Sequence, residues 1–363
     1  MLTIIHGADF HLDSPFSGLT PQRAVQRRRE QRQTLDALAE LAAERRADLV
    51  LLSGDLLDGQ ITYRETAQAL AQALGRIPCP VFLAPGNHDY YHSQSLYAGL
   101  DWPEHVHLFT TGAIQAVTLE QLNCTVYGRA FCQAREDASP LAGFTVPRDG
   151  RIHVMALHAQ VDGRGEYAPI TREEIAASGL DYLALGHVHQ CSGLIREGEV
   201  TWAYSGCPEG RGFDETGEKG VLVVQVEPGC CRGELVSLGG RQYHDLKVDA
   251  GACGNLEAAV WAALPGIPER DVYRITFTGT CPEGGIDLAG LTARLSPQVY
   301  GLTLSDRTQV ERALWERKDE DALAGRFLRQ MALRGAEDPD NETLQLAVRY
   351  GLAALEHGED VAP

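Results

Sequence analysis

Five short motifs hold most of the chemistry in this 363-residue chain: Asp9-Phe-His11, Gly54-Asp55-Leu-Leu-Asp58, Gly86-Asn87-His88-Asp89, the single His158, and Gly186-His187-Val-His189. Asp9, His11, Asp55, Asn87, His158, His187 and His189 offer mixed oxygen and imidazole donors. That set suits Mn²⁺, Fe²⁺ or Zn²⁺, whereas an all-oxygen set would point to Ca²⁺ or Mg²⁺. One carboxylate, Asp55, can bridge two cations. Singly the motifs say little. Asp-x-His arises by chance, Gly-Asp after a strand is commonly a turn, Gly-Asn-His fits a left-handed turn, and an isolated histidine usually sits satisfied in a core. All five in this order, each after a buried-type strand, read as one dinuclear metal site.

The elements that must bring them together are legible as apolar runs. Leu2–His6, Leu49–Ser53, Val81–Ala84, Ile152–Leu157 and Tyr182–Leu185 read as strands buried on both faces. A helix is expected over about Gln22–Arg46, with Leu35, Leu38, Ala39, Leu41 and Ala42 at helical spacing, and another over Tyr63–Leu74. This alternation predicts an α/β layered fold, and the carboxyl edge of such a sheet gathers residues distant in sequence. Beyond about residue 249 the pattern separates. Leu256–Leu264 and Leu288–Leu295 read as helices, Val272–Thr278 and Val299–Leu304 as strands, and Leu314–Arg334 and Glu342–Glu356 as amphipathic helices. The expected organisation is 1–245 for the main domain, 246–310 for a small α/β capping domain and 311–363 for a helical C-terminal tail.

The five motifs resemble the calcineurin-like metallophosphoesterase superfamily. The flanking stretches His6–Leu19, Tyr127-Gly-Arg129, Asp181–His189, Tyr204–Arg211 and Glu215–Gly220 resemble, more narrowly, the bacterial DNA-repair exonucleases of the YhaO and SbcD type. The resemblance implies a four-layer sandwich of two β-sheets flanked by helices. It implies two divalent metal ions, Mn²⁺ first, with Fe²⁺ or Zn²⁺ as alternatives. Asp9, His11, Asp55 and His189 would hold one ion; Asp55, Asn87, His158 and His187 the other. His88 would face the scissile phosphate, oriented by Asp58, while Asp89 fixes the turn. Arg211 and Lys219 fall in a family motif and are candidates for binding substrate or ordering the loop. Two cations would supply an acidified water for in-line attack and neutralise phosphate oxygens. No Ser, Thr or Cys nucleophile is then needed. Partners implied are DNA, an SMC-like coiled-coil ATPase docking on the C-terminal helices, and a second copy in a homodimer.

Composition bounds the rest. Hydrophobic residues make 44% and charged residues 23% of the chain, as in a folded soluble protein. No apolar run is long enough for a membrane span and no secretory signal opens the chain, so a cytoplasmic location is expected. Nine cysteines without a CxxC pair fit a reducing compartment. The net charge of −18 excludes a strongly basic nucleic-acid binder and leaves open a small phosphoester or nucleotide as substrate. Arg23, Arg27, Arg28, Arg29 and Arg32 place at least three arginines along one helical face, read as solvated before phosphate-contacting. A scaffolding subunit with a decayed site is the third reading, opposed by the filled ligand positions.

Overall fold

Ile4 and Ile5 project to opposite faces of one strand, and both are fully buried. So are Val50 and Leu51 of the next. A sheet built this way must be covered on both sides. The computed structural model describes residues 1–17, 19–59, 62–163, 165–281, 286–310, 312–336, 338 and 341–357. It divides into two units, Met1–Arg241 and Gln242–Pro363.

The first unit begins β1 (Leu2–Gly7), α1 (Pro21–Glu44), β2 (Leu49–Leu52), α2 (Arg64–Gly75), β3 (Val81–Leu83) and β4 (Val106–Leu108). It continues with β5 (Gln115–Leu119), β6 (Cys124–Gly128), β7 (Ile152–His158) and the short pair β8 (Gln160–Val161) and β9 (Pro169–Ile170). Then come α3 (Arg172–Ser178), β10 (Tyr182–Gly186), β11 (Ile195–Glu197), β12 (Val200–Tyr204), β13 (Val221–Glu227) and β14 (Cys230–Val236). Two six-stranded sheets result, ordered β14-β13-β1-β2-β3-β4 and β11-β12-β10-β7-β6-β5. Within them β1, β2, β3 and β4 run parallel, as do β6, β7, β10 and β12.

Side chains alternate as the strand period requires. Ile4, Leu49, Leu51, Leu222 and Val224 face Val126, Val154, Ala156 and Ala184 across the layer between the sheets. The opposite faces carry Ile5, Val50, Leu52 and Val223 against Leu35, Leu38 and Leu70 of α1 and α2. On the other side, Met155, Leu157 and Leu183 meet Ile175 of α3. This is the expected four-layer α/β sandwich. Two polar ties cross between the sheets beside the strand ends. His6 contacts the Tyr182 hydroxyl (2.9 Å) and the Leu185 carbonyl (3.1 Å), and Ser53 Oγ donates to the Ala184 carbonyl (2.9 Å).

The second unit holds a parallel sheet of β15 (Tyr243–Asp249), β16 (Val272–Thr278) and β18 (Gly301–Asp306), with β17 (Thr280–Cys281) pairing β19 (Gln309–Val310). Val260 of α4 (Leu256–Ala263) and Leu291 and Leu295 of α5 (Leu288–Leu295) pack on Tyr273, Ile275 and Phe277. The first compact unit ends at Arg241, and the backbone of Tyr243–Asp249 pairs with Val272–Thr278 within the second. The expected tail belongs to this unit too. Leu314, Leu328, Val348 and Leu352, from α6 (Arg312–Glu316), α7 (Leu323–Arg334) and α8 (Glu342–His357), form one cluster with Val310, and Arg349 reaches Asp306 (2.8 Å). The expected single helix over Leu314–Arg334 is broken. Gly325, lacking a Cβ, admits the Glu320 carbonyl where any side chain would clash, and the chain turns before Leu323.

Candidate metal centre

Each motif sits where a parallel strand ends. Asp9 and His11 follow β1, Asp55 follows β2, and Asn87 and His88 follow β3. His158 is the last residue of β7, and His187 follows β10. The ladder continues past the strand ends: Asp9 N–H donates to the Gly54 carbonyl, His11 to Asp55 and Leu12 to Leu56. Asp9, His11, Asp55 and His187 all have positive φ (54°, 44°, 52° and 109°), a conformation that costs energy for a non-glycine residue and clusters at functional sites. Gly54, at φ 89°, and Gly86 are required by close approach. A Cβ on Gly86 would lie 2.2 Å from Asp55 Oδ1.

The donors converge. Asp9, His11 and His189 form one group able to hold a cation, and Asp9, Asp55 and His158 a second. A third, His11, Asp58 and His88, was not expected. His158 Nδ1 lies 2.9 Å from the Ser53 carbonyl, which can only accept, so the proton is on Nδ1. Its Nε2 lone pair then faces Asn87 Oδ1 at 2.9 Å and Asp55 Oδ2 at 3.4 Å. On the other flank, His11 Nδ1 lies 3.0 Å from Asp58 Oδ1 and His189 Nδ1 lies 2.7 Å from Glu215 Oε1. A carboxylate thus stands beside each Nδ1, and the two Nε2 atoms oppose each other at 3.1 Å.

Burial holds the His11 and His158 pKa values down to about 4 and that of His187 to about 3, so their imidazoles are neutral at pH 7, the form in which histidine can donate to a cation. The carboxylates are pushed the other way. Burial, then the neighbouring Asp55 charge, raises Asp9 well above its ordinary value, and burial raises Asp55. Lone pairs aimed at lone pairs, beside buried carboxylates that repel, are a donor set fitted to divalent cations.

The Asp58 carboxylate reaches His11 and, at 3.0 Å, Arg211, and its backbone carbonyl lies 3.2 Å from His88 Nδ1. His88 is exposed, edge-on to the His11 ring at 4.8 Å. Arg211 and Lys219, candidates for substrate contact, turn inward. Arg211 bonds Glu215, Asp58 and Ser14, and Lys219, 4% exposed, donates to the His189 carbonyl at 2.8 Å. Of the arginine stripe, Arg27 is fully buried, on Glu209, Glu30 and the Gly210 carbonyl. Asp89 fixes the turn as expected, accepting from the backbone N–H of Gly86, Asp55, Leu56 and Leu57 and from Tyr97.

Sequence reasoning missed Glu215, Tyr97 and Tyr167, whose ring lies 5.0 Å from that of His187. Glu215 stands in a stretch already marked by resemblance, a signal that could have found it. The Ser53 carbonyl, a backbone atom, has no signal in residue type.

The family model for calcineurin-like phosphoesterases matches residues 2–191, and the chain belongs to that family. Its members are dinuclear metal-dependent enzymes, and phosphoester hydrolysis is the family's chemistry. The chain is 29% identical over 310 residues to "Uncharacterized metallophosphoesterase YhaO" of Bacillus subtilis (strain 168), covering 78% of this chain and 73% of that one. It is 26% identical over 280 residues to "DNA double-strand break repair protein Mre11" of Aeropyrum pernix, covering 72% of this chain and 66% of that one. The crystal structure of TT1561 of Thermus thermophilus superposes with a TM-score of 0.41 at 12% identity, over 64% of this chain and 98% of that one. No described helix is long and apolar enough to cross a membrane.

Proposed function

We propose that the chain is a dinuclear-metal-dependent nuclease that hydrolyses phosphodiester bonds in DNA, with Mn²⁺ as its metal. The observation that carries the reading is the pair of opposed lone-pair sets, His11 against His189 and His158 against Asn87 and Asp55. Similarity to a protein named for DNA double-strand break repair supports DNA as the substrate. Asp9, His11, Asp55 and His189 would hold one ion, and Asp55, Asn87, His158 and His187 the other. When bound, the pair supplies Lewis acidity to the phosphate oxygens and a water acidified toward neutral pH.

The chain's own residues do the rest. Ser53 and Glu215 hold protons on the Nδ1 atoms of His158 and His189, and the Asp58 carboxylate faces Nδ1 of His11, keeping each Nε2 turned inward. Asp89 ties the loops after β2 and β3 together, so Asp55 and Asn87 keep their separation. His88, exposed and held through Nδ1, presents Nε2 to a phosphate, where it stabilises developing charge and hands a proton to the leaving oxygen. An SMC-like partner and a second copy of the chain remain part of the proposal. Leu323, Leu333, Tyr350 and Leu355 stay exposed on α7 and α8 after those helices have packed their stripes on each other.

The test is cleavage by the full chain, with Mn²⁺ supplied, of end-labelled linear duplex DNA, a single strand of the same sequence, and a chromogenic phosphodiester. Mn²⁺-dependent shortening of DNA supports the reading. Turnover of the small ester with DNA untouched moves the function to small phosphoesters, the alternative that the charge of −18 favours.

A further inference from the structure

We infer that Arg211 and Glu215 are positioning residues: Glu215 fixes the ring proton of His189, and Arg211 ties Glu215 to Asp58, whose carboxylate faces His11 Nδ1, in a bracket that turns both Nε2 lone pairs toward one cation. The inference rests on the metal site proposed above.

A neutral imidazole carries its proton on either nitrogen, and the hydrogen bond made by one nitrogen decides what the other offers. The His11 and His189 Nε2 atoms are 3.1 Å apart, a hydrogen-bonding distance. If either ring moved its proton to Nε2, the two would bond each other and shut the site to metal. What prevents this is a carboxylate behind each Nδ1, Asp58 at 3.0 Å from His11 and Glu215 at 2.7 Å from His189.

Two carboxylates on separate loops need something to hold their spacing, and the Arg211 fork does so. Nη1 reaches Asp58 Oδ1 at 3.0 Å and Ser14 Oγ at 3.3 Å. Nε lies 3.2 Å from both Glu215 oxygens and Nη2 2.6 Å from Oε1, while the Arg211 backbone N–H donates to Oε2 at 2.8 Å. Nη2 also approaches His189 Nδ1 at 3.2 Å, but the shorter contacts to Glu215 claim its hydrogens. A planar guanidinium spans both anions at once; a lysine ammonium cannot. Ser14 Oγ in turn donates to the His11 carbonyl at 2.8 Å, which closes the bracket on the β1 loop. His158 is backed by the Ser53 carbonyl instead, so the other half of the site lies outside the bracket.

Calorimetric titration of the full chain with Mn²⁺ tests this, paired with long-range ¹H–¹⁵N spectra of the metal-free histidine rings. Wild type is expected to bind two ions. Glu215→Ala and Arg211→Met should each weaken one of them about 10- to 100-fold, leave the other within about twofold, and move His189 off the Nδ1-protonated form. Glu215→Gln, whose amide oxygen can still accept from Nδ1, should recover much of the loss, and Arg211→Lys little. Wild-type binding at both sites in Glu215→Ala and Arg211→Met, with the His189 proton still on Nδ1, overturns the bracket. If a variant loses both ions, the metal-free spectrum decides alone: an unmoved proton overturns the bracket and a moved one upholds it. Wild type binding fewer than two ions overturns the metal reading beneath, while the spectra still judge the bracket.

Discussion

His11 Nε2 and His189 Nε2 face each other across 3.1 Å although 178 residues separate them in the chain. The contact joins the loop after β1 in one sheet to the loop after β10 in the other, so the site lies where both sheets end. It also means that the metal-free site is under electrostatic tension, with lone pairs opposed and Asp9 and Asp55 buried beside them.

That tension gives Asp55→Asn an unusual signature. Without metal, the variant removes a buried negative charge and is expected to be at least as stable as wild type. With Mn²⁺ at a hundredfold excess over its dissociation constant, wild type should gain about 2.7 kcal/mol for each ion bound, and the variant should gain almost none. Thermal melts of both proteins, with chelator and with Mn²⁺, check this. A variant stabilised by Mn²⁺ as strongly as wild type would falsify the bridging role of Asp55.

His88 presents the opposite case. It is exposed and held through the Asp58 carbonyl, so replacing it should leave the donors in place. His88→Ala is expected to lower hydrolysis about 10²- to 10⁴-fold while the Mn²⁺-induced rise in melting temperature stays at the wild-type value. Loss of both together would make His88 a ligand.

The strands that carry the motifs were legible because they are apolar on both faces: Leu49–Leu52, Ile152–His158 and Tyr182–Gly186 match the expected runs within a residue. The convergence of Asp9, His11, Asp55, His158 and His189 was legible because each motif follows such a strand. Val106–Leu108, Gln115–Leu119 and Cys124–Gly128 escaped notice, two for lying at or next to a sheet edge with polar residues interleaved and one for spanning three residues. The sharper failure concerned charge. Arg27 looked like one member of a solvated stripe, yet it is buried because Glu209, 182 residues away, is folded against it. Arg211 is tied both to Glu215, four residues on, and to Asp58, 153 residues away, and Lys219 to the His189 carbonyl. A helical wheel shows which residues share a face and nothing of what a distant loop lays on it.

The network around Arg27 makes acid stability depend on Glu30. Burial alone would raise the Glu30 pKa, but hydrogen bonds from Arg241 and Arg27 outweigh it and hold the carboxyl at about 2, against an ordinary 4.5. A carboxylate with a depressed folded pKa contributes stability that is complete above its unfolded pKa and fades as pH falls through the folded one. The window is therefore pH 4.5 down to about 2. Since Glu30 is partly open to solvent, the contribution is about 1–2 kcal/mol. Glu30→Gln should lower the urea midpoint at pH 6 and flatten its fall toward pH 2.5. Parallel curves for the two proteins would remove Glu30 from the account.

The tightest steric point of the site predicts what a single methyl does. Gly86 packs so closely on Asp55 that an alanine Cβ would sit 2.2 Å from Oδ1 and 2.7 Å from the Asp55 backbone nitrogen. Gly86 cannot retreat without losing the bond from its N–H to Asp89 Oδ1 (2.7 Å), and Asp89 is itself committed to Leu56 and Leu57. Asp55 must give way. Gly86→Ala is expected to destabilise the chain by about 1–3 kcal/mol and to abolish the Mn²⁺-induced rise in melting temperature. Gly99, with nothing within 4 Å of a built Cβ, supplies the control: Gly99→Ala should change neither. If Gly86→Ala keeps the full Mn²⁺ response, the loops after β2 and β3 can slide past each other, and the rigidity ascribed to Asp89 is wrong.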